Sequence, residues 1–228
     1  MLQFLQFEEK LFIFCRFLFQ NKEMTDFLND IKQLKNIADL GLLYAQDPFD
    51  RDRYTELHAI SLKMMSQLTD TPLCKMTNFY APITEYPTPK VDIRALVINK
   101  YNQILLVQER SDGRWALPGG WADIGLTPRE VGTKEVLEET GLTVSPTLLL
   151  AVFDKKCHPH PPQAYYVYKF VIFCTYISGE LCPAHDILDA CYFDITDLPP
   201  LSENRILKSQ IELVFQKIQT NDFETYFD

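Results

Sequence analysis

Glu135, Glu138 and Glu139 are the residues of this chain whose type and spacing point most directly to chemistry. Spaced i, i+3 and i+4, they share one face of any helix that contains them. Like charges at that spacing cost ~0.2–0.5 kcal/mol per pair when nothing lies between them. A divalent cation reverses the balance. Mg2+, with Mn2+ as the alternative, is a hard ion that takes carboxylate oxygens and keeps several waters. The plain alternative is an acidic helix face turned to solvent. The Gly119-Gly120 pair ahead of the three acids moves the weight towards metal.

The element that must position these acids is written in the sequence around them. Thr127-Pro128-Arg129-Glu130 has the form of a capping box, in which Thr127 and Glu130 satisfy each other's backbone N–H groups. Pro128 falls at a first helical residue, where a missing N–H does no harm. Gly141 falls where a helix stops in a left-handed residue. The spacing therefore predicts a helix from about Pro128 to Thr140.

From Gly120 to Leu142 the chain resembles the Nudix box, G-x5-E-x7-R-E-U-x-E-E-x-G-U with U aliphatic. Glu135-Val136-Leu137-Glu138-Glu139-Thr140-Gly141-Leu142 fits its second half at every position. Leu126 stands where the first glutamate is expected, and Lys134 where the arginine is. GGWADIGL followed by a capped helix also resembles one branch of the family, the ADP-ribose and CDP-choline pyrophosphatases with a helical N-terminal module. A leucine is usual there, so Leu126 is not read as a dead site.

The resemblance implies an α/β fold, a Nudix α/β/α sandwich over about residues 91–220, joined to a small helical hairpin. It implies hydrolysis of the pyrophosphate bond in an X-linked nucleoside diphosphate, ADP-ribose or CDP-choline first. Glu135 and Glu139 are then the first metal ligands and Glu138 a third. The Gly119 carbonyl is a candidate backbone ligand, in a loop with no side chain to block approach. Glu138 is the first choice of general base, with Glu180 or Asp189 behind it. Lys134 could orient neighbouring carboxylates as the usual arginine does, without its bidentate fork.

Size and charge agree with a small-molecule enzyme. The 228 residues hold one sizeable domain and a small one. A net charge of −9 disfavours DNA binding and non-specific membrane attraction. It also means that a polyphosphate substrate needs cations at the site. Six cysteines without a C-x-x-C pair read as reduced, small hydrophobes in a cytoplasmic protein. Cys157-His158-Pro159-His160 has the wrong spacing for a zinc finger.

Along the chain, residues 1–23 form an apolar extension, too short and too charged for a membrane span and without the pattern of a signal peptide. It reads as an amphipathic helix, or as a read-in ahead of a start at Met24. Residues 24–70 carry apolar residues at helical spacing on both sides of Asp47-Pro48, which predicts a helical hairpin. GLLYAQDPFDRDRYTEL within it resembles the N-terminal module of the same branch. Two short helices bury little alone, so the hairpin is expected to dock on its own domain or on a second copy, giving a homodimer. Residues 71–90, with Pro72, Pro82, Pro87 and Pro89, are expected to be an extended linker. Residues 91–228 form the catalytic domain: a hairpin of Ile93–Ile98 and Gln103–Glu109, strands at Thr147–Phe153, Tyr165–Tyr176 and Ala190–Asp194, and a last helix over about Glu203–Gln219.

Arg114, Lys156, His158, His160 and Tyr44 are the candidate contacts for the nucleotide substrate. Lys155, Lys156 and the two histidines lie in a Pro-rich loop between strands that also resembles the branch; a solvated basic loop is the alternative. LPPLSENR, with Ser202 and Arg205, reads as structural. The rival to hydrolysis is a Nudix-fold nucleotide-binding module without turnover, against which the survival of all three box glutamates weighs. A third reading is an interaction protein led by the apolar N-terminus.

Overall fold

The computed structural model describes residues 24, 26–69, 71–79, 86–183 and 186–228, without the side chains of 77–79. The apolar extension lies outside them. The chain forms two compact units. One comprises the described residues up to Thr88 with Pro162–Tyr165, and the other Pro89–Pro161 with Tyr166–Asp228.

The first unit is helical. Helix α1 spans 26–44 and α2 spans Pro48–Leu68. The Asp47 side chain accepts from the N–H groups of Phe49 and Asp50, and Pro48 opens the helix, so the break read from Asp47-Pro48 is an N-cap. Leu28, Ile31, Met65 and Met76 are buried together. Asp39 joins the two helices: His58 Nδ1 lies 2.8 Å from it, and Lys35 donates to it from one turn away. Gly41 lies against the Tyr54 ring, which a Cβ there would meet at 2.4 Å. Residues 71–90 are not extended throughout, as the prolines had suggested. Leu73–Phe79 is a short helix, α3, and the Pro72 carbonyl accepts from Lys75 and Met76. A proline ahead of a helix costs it no hydrogen bond, and Pro72 there starts a turn rather than forbidding one.

The second unit contains two sheets and two long helices. Strands β1 (Lys90–Val97), β4 (Thr143–Asp154), β5 (Val167–Ser178) and β7 (Tyr226–Phe227) form the first sheet in the order β1-β5-β4-β7. β1 runs parallel to β5, and β4 antiparallel to it. Strands β2 (Ile104–Glu109), β3 (Trp115–Ala116) and β6 (Ile187–Phe193) form the second, antiparallel, in the order β3-β2-β6. The expected hairpin is thus a turn between sheets. Asn99 Oδ1 accepts from Tyr101 and Gln103, one bridge joins Ile98 to Ile104, and the strands then part to separate partners.

The period of two along the strands divides the core. Ile93, Ala95 and Val97 of β1 pack with Val131 and Val136 of α4 (Pro128–Thr140). Leu96 packs on the other side with Phe153 and with Ile211, Val214 and Phe215 of α5 (Lys208–Gln219). Helix, sheets and helix make the sandwich. Phe153 has no exposed surface, and truncating such a ring to alanine costs about 3–5 kcal/mol. Helix α5 begins later than expected: 203–205 form a turn in which Arg205 N donates to the Ser202 carbonyl.

Candidate active site

Helix α4 begins and ends as its sequence dictates. Thr127 and Glu130 form the capping box, and Gly141 closes the helix with φ 75°. The three glutamates emerge from it into different surroundings. Glu139 is buried, and its Oε2 accepts from the Gly119 N–H at 2.8 Å. Glu135 is half-buried against Gly120, where a Cβ would lie 2.9 Å from its Oε1. Glu138 is exposed, with Lys134 Nζ 3.5 Å from its Oε2.

The glycines are where side chains would collide. A Cβ on Gly119, whose φ is 144°, would stand 2.0 Å from the Ile93 carbonyl oxygen. The loop is stitched to β1 by the Ile93 N–H to the Gly120 carbonyl and the Ala95 N–H to the Pro118 carbonyl, each 2.8 Å. β1 therefore sets the height at which Gly119 meets Glu139.

Burial dominates the electrostatics. It pushes the Glu139 carboxyl up to about 8, against the pull of Arg94 and the Gly119 amide, with Glu135 and Glu109 adding to the rise. Glu135 is raised too, by burial first and by Glu138 among its neighbours. A cluster of acids short of positive charge fits a hard cation, and Gly120 leaves the space a Cβ would fill beside Glu135. As the side chains stand, no group of three His, Cys, Asp or Glu among the described residues is gathered to hold a metal ion. Glu138 points to Lys134 rather than to its two neighbours.

Beneath the glutamates lies an ionic cluster that the sequence reading did not assign to the site. Arg94 is 5% exposed and Asp92 3%. Arg94 Nε and Nη2 donate to Asp92, and its Nη1 donates to the Leu117 carbonyl at 3.1 Å. Buried Lys169 of β5 donates to the same aspartate. Burial holds Lys169 down to about 8 despite that partner. Burial likewise raises Glu109, although Arg205 Nε is 2.7 Å from it. The signal in the sequence was charge inside apolar strands: Asp92 and Arg94 in β1, Lys169 in β5. Buried charge persists only when paired.

Of the candidate substrate contacts, Tyr44 belongs to the helical unit, and Arg114, Lys156, His158 and His160 belong to the second unit. Arg114 and Lys156 are exposed. His158 Nε2 lies 2.9 Å from Asp228 Oδ2. His160 is buried, and its Nδ1–H donates to the Glu203 carbonyl at 2.6 Å. Its Nε2 has no hydrogen-bond partner among the described residues, and burial, with Lys155 and Lys169 nearby, brings its pKa down to about 3. Tyr44 is exposed at the end of α1, in the helical unit.

Comparison with known proteins matches this architecture part by part. A family model described as a NUDIX domain fits residues 88–214. One described as a UDP-X-like, N-terminal oligomerisation domain fits 25–80. A Bacillus subtilis (strain 168) protein named "Putative ADP-ribose pyrophosphatase YjhB" is 39% identical over 207 residues, 91% of this chain and 99% of its own length. A crystal structure of a UDP-X diphosphatase is 36% identical over 90% of this chain and 99% of that one, with a TM-score of 0.58. An ADP-ribose pyrophosphatase from Streptococcus suis is 37% identical, covering 62% of this chain and all of its own, with a TM-score of 0.56. With the box glutamates on a capped helix behind a glycine loop, and more than half of the chain matched by the domain, the protein belongs to the Nudix pyrophosphatases.

Proposed function

We propose that the chain hydrolyses the pyrophosphate bridge of a nucleoside diphosphate linked to a second group, with ADP-ribose and CDP-choline as first candidates, in dependence on a divalent metal. One observation carries this reading: Glu139 is buried against the Gly119 amide while Glu135 lies beside Gly120, a concentration of acid that burial alone makes unfavourable. Relatives named as ADP-ribose pyrophosphatase and UDP-X diphosphatase support the substrate class.

Glu135, Glu139 and the Gly119 carbonyl would hold the ion, with Glu138 as a third carboxylate. A divalent cation there, Mg2+ or else Mn2+, would neutralise phosphoryl charge and acidify water. Glu138, exposed and steadied by Lys134, is the group we assign to take the proton. Arg114 and Lys156, both exposed, are our choices for the phosphates. We assign His158 and His160 to holding their own loop, since each already has a partner within the protein.

The helical unit supports a homodimer. Phe27, Leu34, Ile37 and Tyr44 leave an exposed apolar stripe on α1, and the matched model is described as an oligomerisation domain. No helix among the described residues is long and apolar enough to cross a membrane. The described cysteines are all free thiols, which supports a cytoplasmic setting.

The test is to incubate pure protein with ADP-ribose, CDP-choline, a UDP-linked sugar, a dinucleoside polyphosphate and nucleoside triphosphates. Each is given Mg2+, Mn2+ or EDTA, and phosphate is assayed after a phosphatase. Turnover of an X-linked diphosphate that EDTA abolishes supports the reading. Tight nucleotide binding with no turnover would replace it by a sensor.

A further inference from the structure

We propose that Arg94 is a positioning residue: its guanidinium fixes the Leu117–Gly120 loop, and thereby the height at which the Gly119 N–H and carbonyl meet Glu139. The side chain is bound on two sides. Nε and Nη2 take the Asp92 carboxylate at 2.9–3.2 Å, and Nη1 takes the Leu117 carbonyl at 3.1 Å. Leu117 is two residues before Gly119, and the Gly119 amide donates to Glu139.

Neutralising Asp92 does not explain this arrangement. Lys169, itself 2% exposed, already donates to Asp92. The remaining corner of Arg94, Nη1, donates to a neutral carbonyl of the loop at 3.1 Å, while the Glu109 carboxylate stands farther off at 4.0 Å. Only a planar fork reaches Asp92 and the loop carbonyl at once; an ammonium is a single point. The backbone on either side of Arg94 points the same way, since Ile93 and Ala95 donate to Gly120 and Pro118. A Cβ on Gly119 would stand 2.9 Å from the Arg94 Cα, so the loop is pressed on β1 at this residue. Removing the guanidinium leaves the Leu117 carbonyl without this donor in a dry interior, and the loop is the part free to move.

The inference rests on the metal reading above only where ion affinity is concerned, and the test separates the two. Full-length wild type, Arg94→Met, Arg94→Lys and Arg94→Gln are compared without metal by amide hydrogen exchange over the segment containing Trp115–Ala122. They are compared again by electron paramagnetic resonance titration with Mn2+ alone. In Arg94→Met, exchange in the segment is expected to rise about tenfold while β4 and β5 stay protected. The Mn2+ dissociation constant is expected to rise about 10–100-fold, as when other residues that orient ligands are lost. Arg94→Lys keeps the charge without the fork and is expected to match the methionine variant at the loop. Wild-type exchange at the loop in Arg94→Met, a uniform rise that includes β4 and β5, or full rescue by lysine would each overturn the proposal. If Arg94→Met does not fold, the lysine and glutamine variants decide it by the same criteria. Failure of the wild type to bind Mn2+ would sink the metal reading, while the exchange pattern would still decide the role of Arg94.

Discussion

The ammonium of Lys134 lies 2.8 Å from the Asp123 carboxylate. Asp123 lies three residues before Leu126, the position where the motif expects an acid, and Lys134 stands where it expects an arginine. The loop and the helix are thus joined by a cation and an anion although both motif positions have changed. Lys134 also reaches Glu138 at 3.5 Å, so it connects the loop to the carboxylate we assign as base. Lys134→Met is expected to lower kcat about tenfold with little change in KM, since it disturbs the base without removing it. The thermal midpoint should barely move, because exposed ion pairs contribute little. A lower midpoint with unchanged kcat would contradict this.

Glu139→Gln is expected to fold normally and to lose turnover by orders of magnitude. It should also change how stability depends on pH. The unfolded carboxyl loses its proton near 4.5 and the folded one near 8, so the folded state binds more protons between those values. In metal-free wild type this contribution is fully present below pH 4.5 and is lost as pH rises through about 8. Its slope is at most about 1.4 kcal/mol per pH unit. Urea denaturation in EDTA across that range should show a steeper decline in wild type than in Glu139→Gln, where the raised Glu135 and Glu109 remain.

His160 gives the opposite dependence. Its ring is held neutral to about pH 3, against 6.5 for an unfolded histidine, so the unfolded state binds the extra proton between these values. The stability it provides is complete above pH 6.5 and falls as pH drops towards 3. His160→Asn keeps an N–H for the Glu203 carbonyl but does not titrate. The variant is expected to lose less stability than wild type on acidification from neutrality, as read by denaturant midpoints. Parallel curves would show that the imidazole is not the group responsible.

Gly119→Ala places a methyl group against the Ile93 carbonyl in a conformation that L-residues rarely adopt. The expected cost is roughly 1–3 kcal/mol or more. The loop is expected to be displaced rather than the sheet, so activity should fall by far more than stability. Gly113→Ala is the control: it shares a positive φ, but its Cβ would meet nothing within 4 Å. Equal losses of activity in the two variants would count against a special role for the Gly119 contact.

The parts of this molecule that could be read from the sequence are those whose causes are local. The α4 caps lie within a few residues of the turns they close, and the glutamate spacing is fixed by helical period alone. The Asp92–Arg94–Lys169 cluster was missed because it joins two strands through a pair 77 residues apart. Asp92 and Arg94 pair within β1, but nothing there says that Lys169 will join them. The single bridge between Ile98 and Ile104 had the same cause, since a hairpin turn does not reveal that its strands leave for different sheets. Helix α3 was missed because its flanking prolines were read as breakers, whereas Pro72 starts the turn. The spacing puts Glu138 one residue from Glu139 on α4, but its pairing with Lys134 depends on side-chain rotation that helical spacing leaves open.

The two ends of α4 leave it no freedom of length. Thr127 and Glu130 lock the start, while Gly141 and Gly179 are so close that a Cβ on Gly179 would come within 2.6 Å of the Gly141 carbonyl oxygen. One inserted residue would turn every later side chain by about 100°. Glu139 would swing away from the Gly119 amide. Change at this site is therefore left to the segments around the helix, as with interchangeable fittings on a fixed spindle.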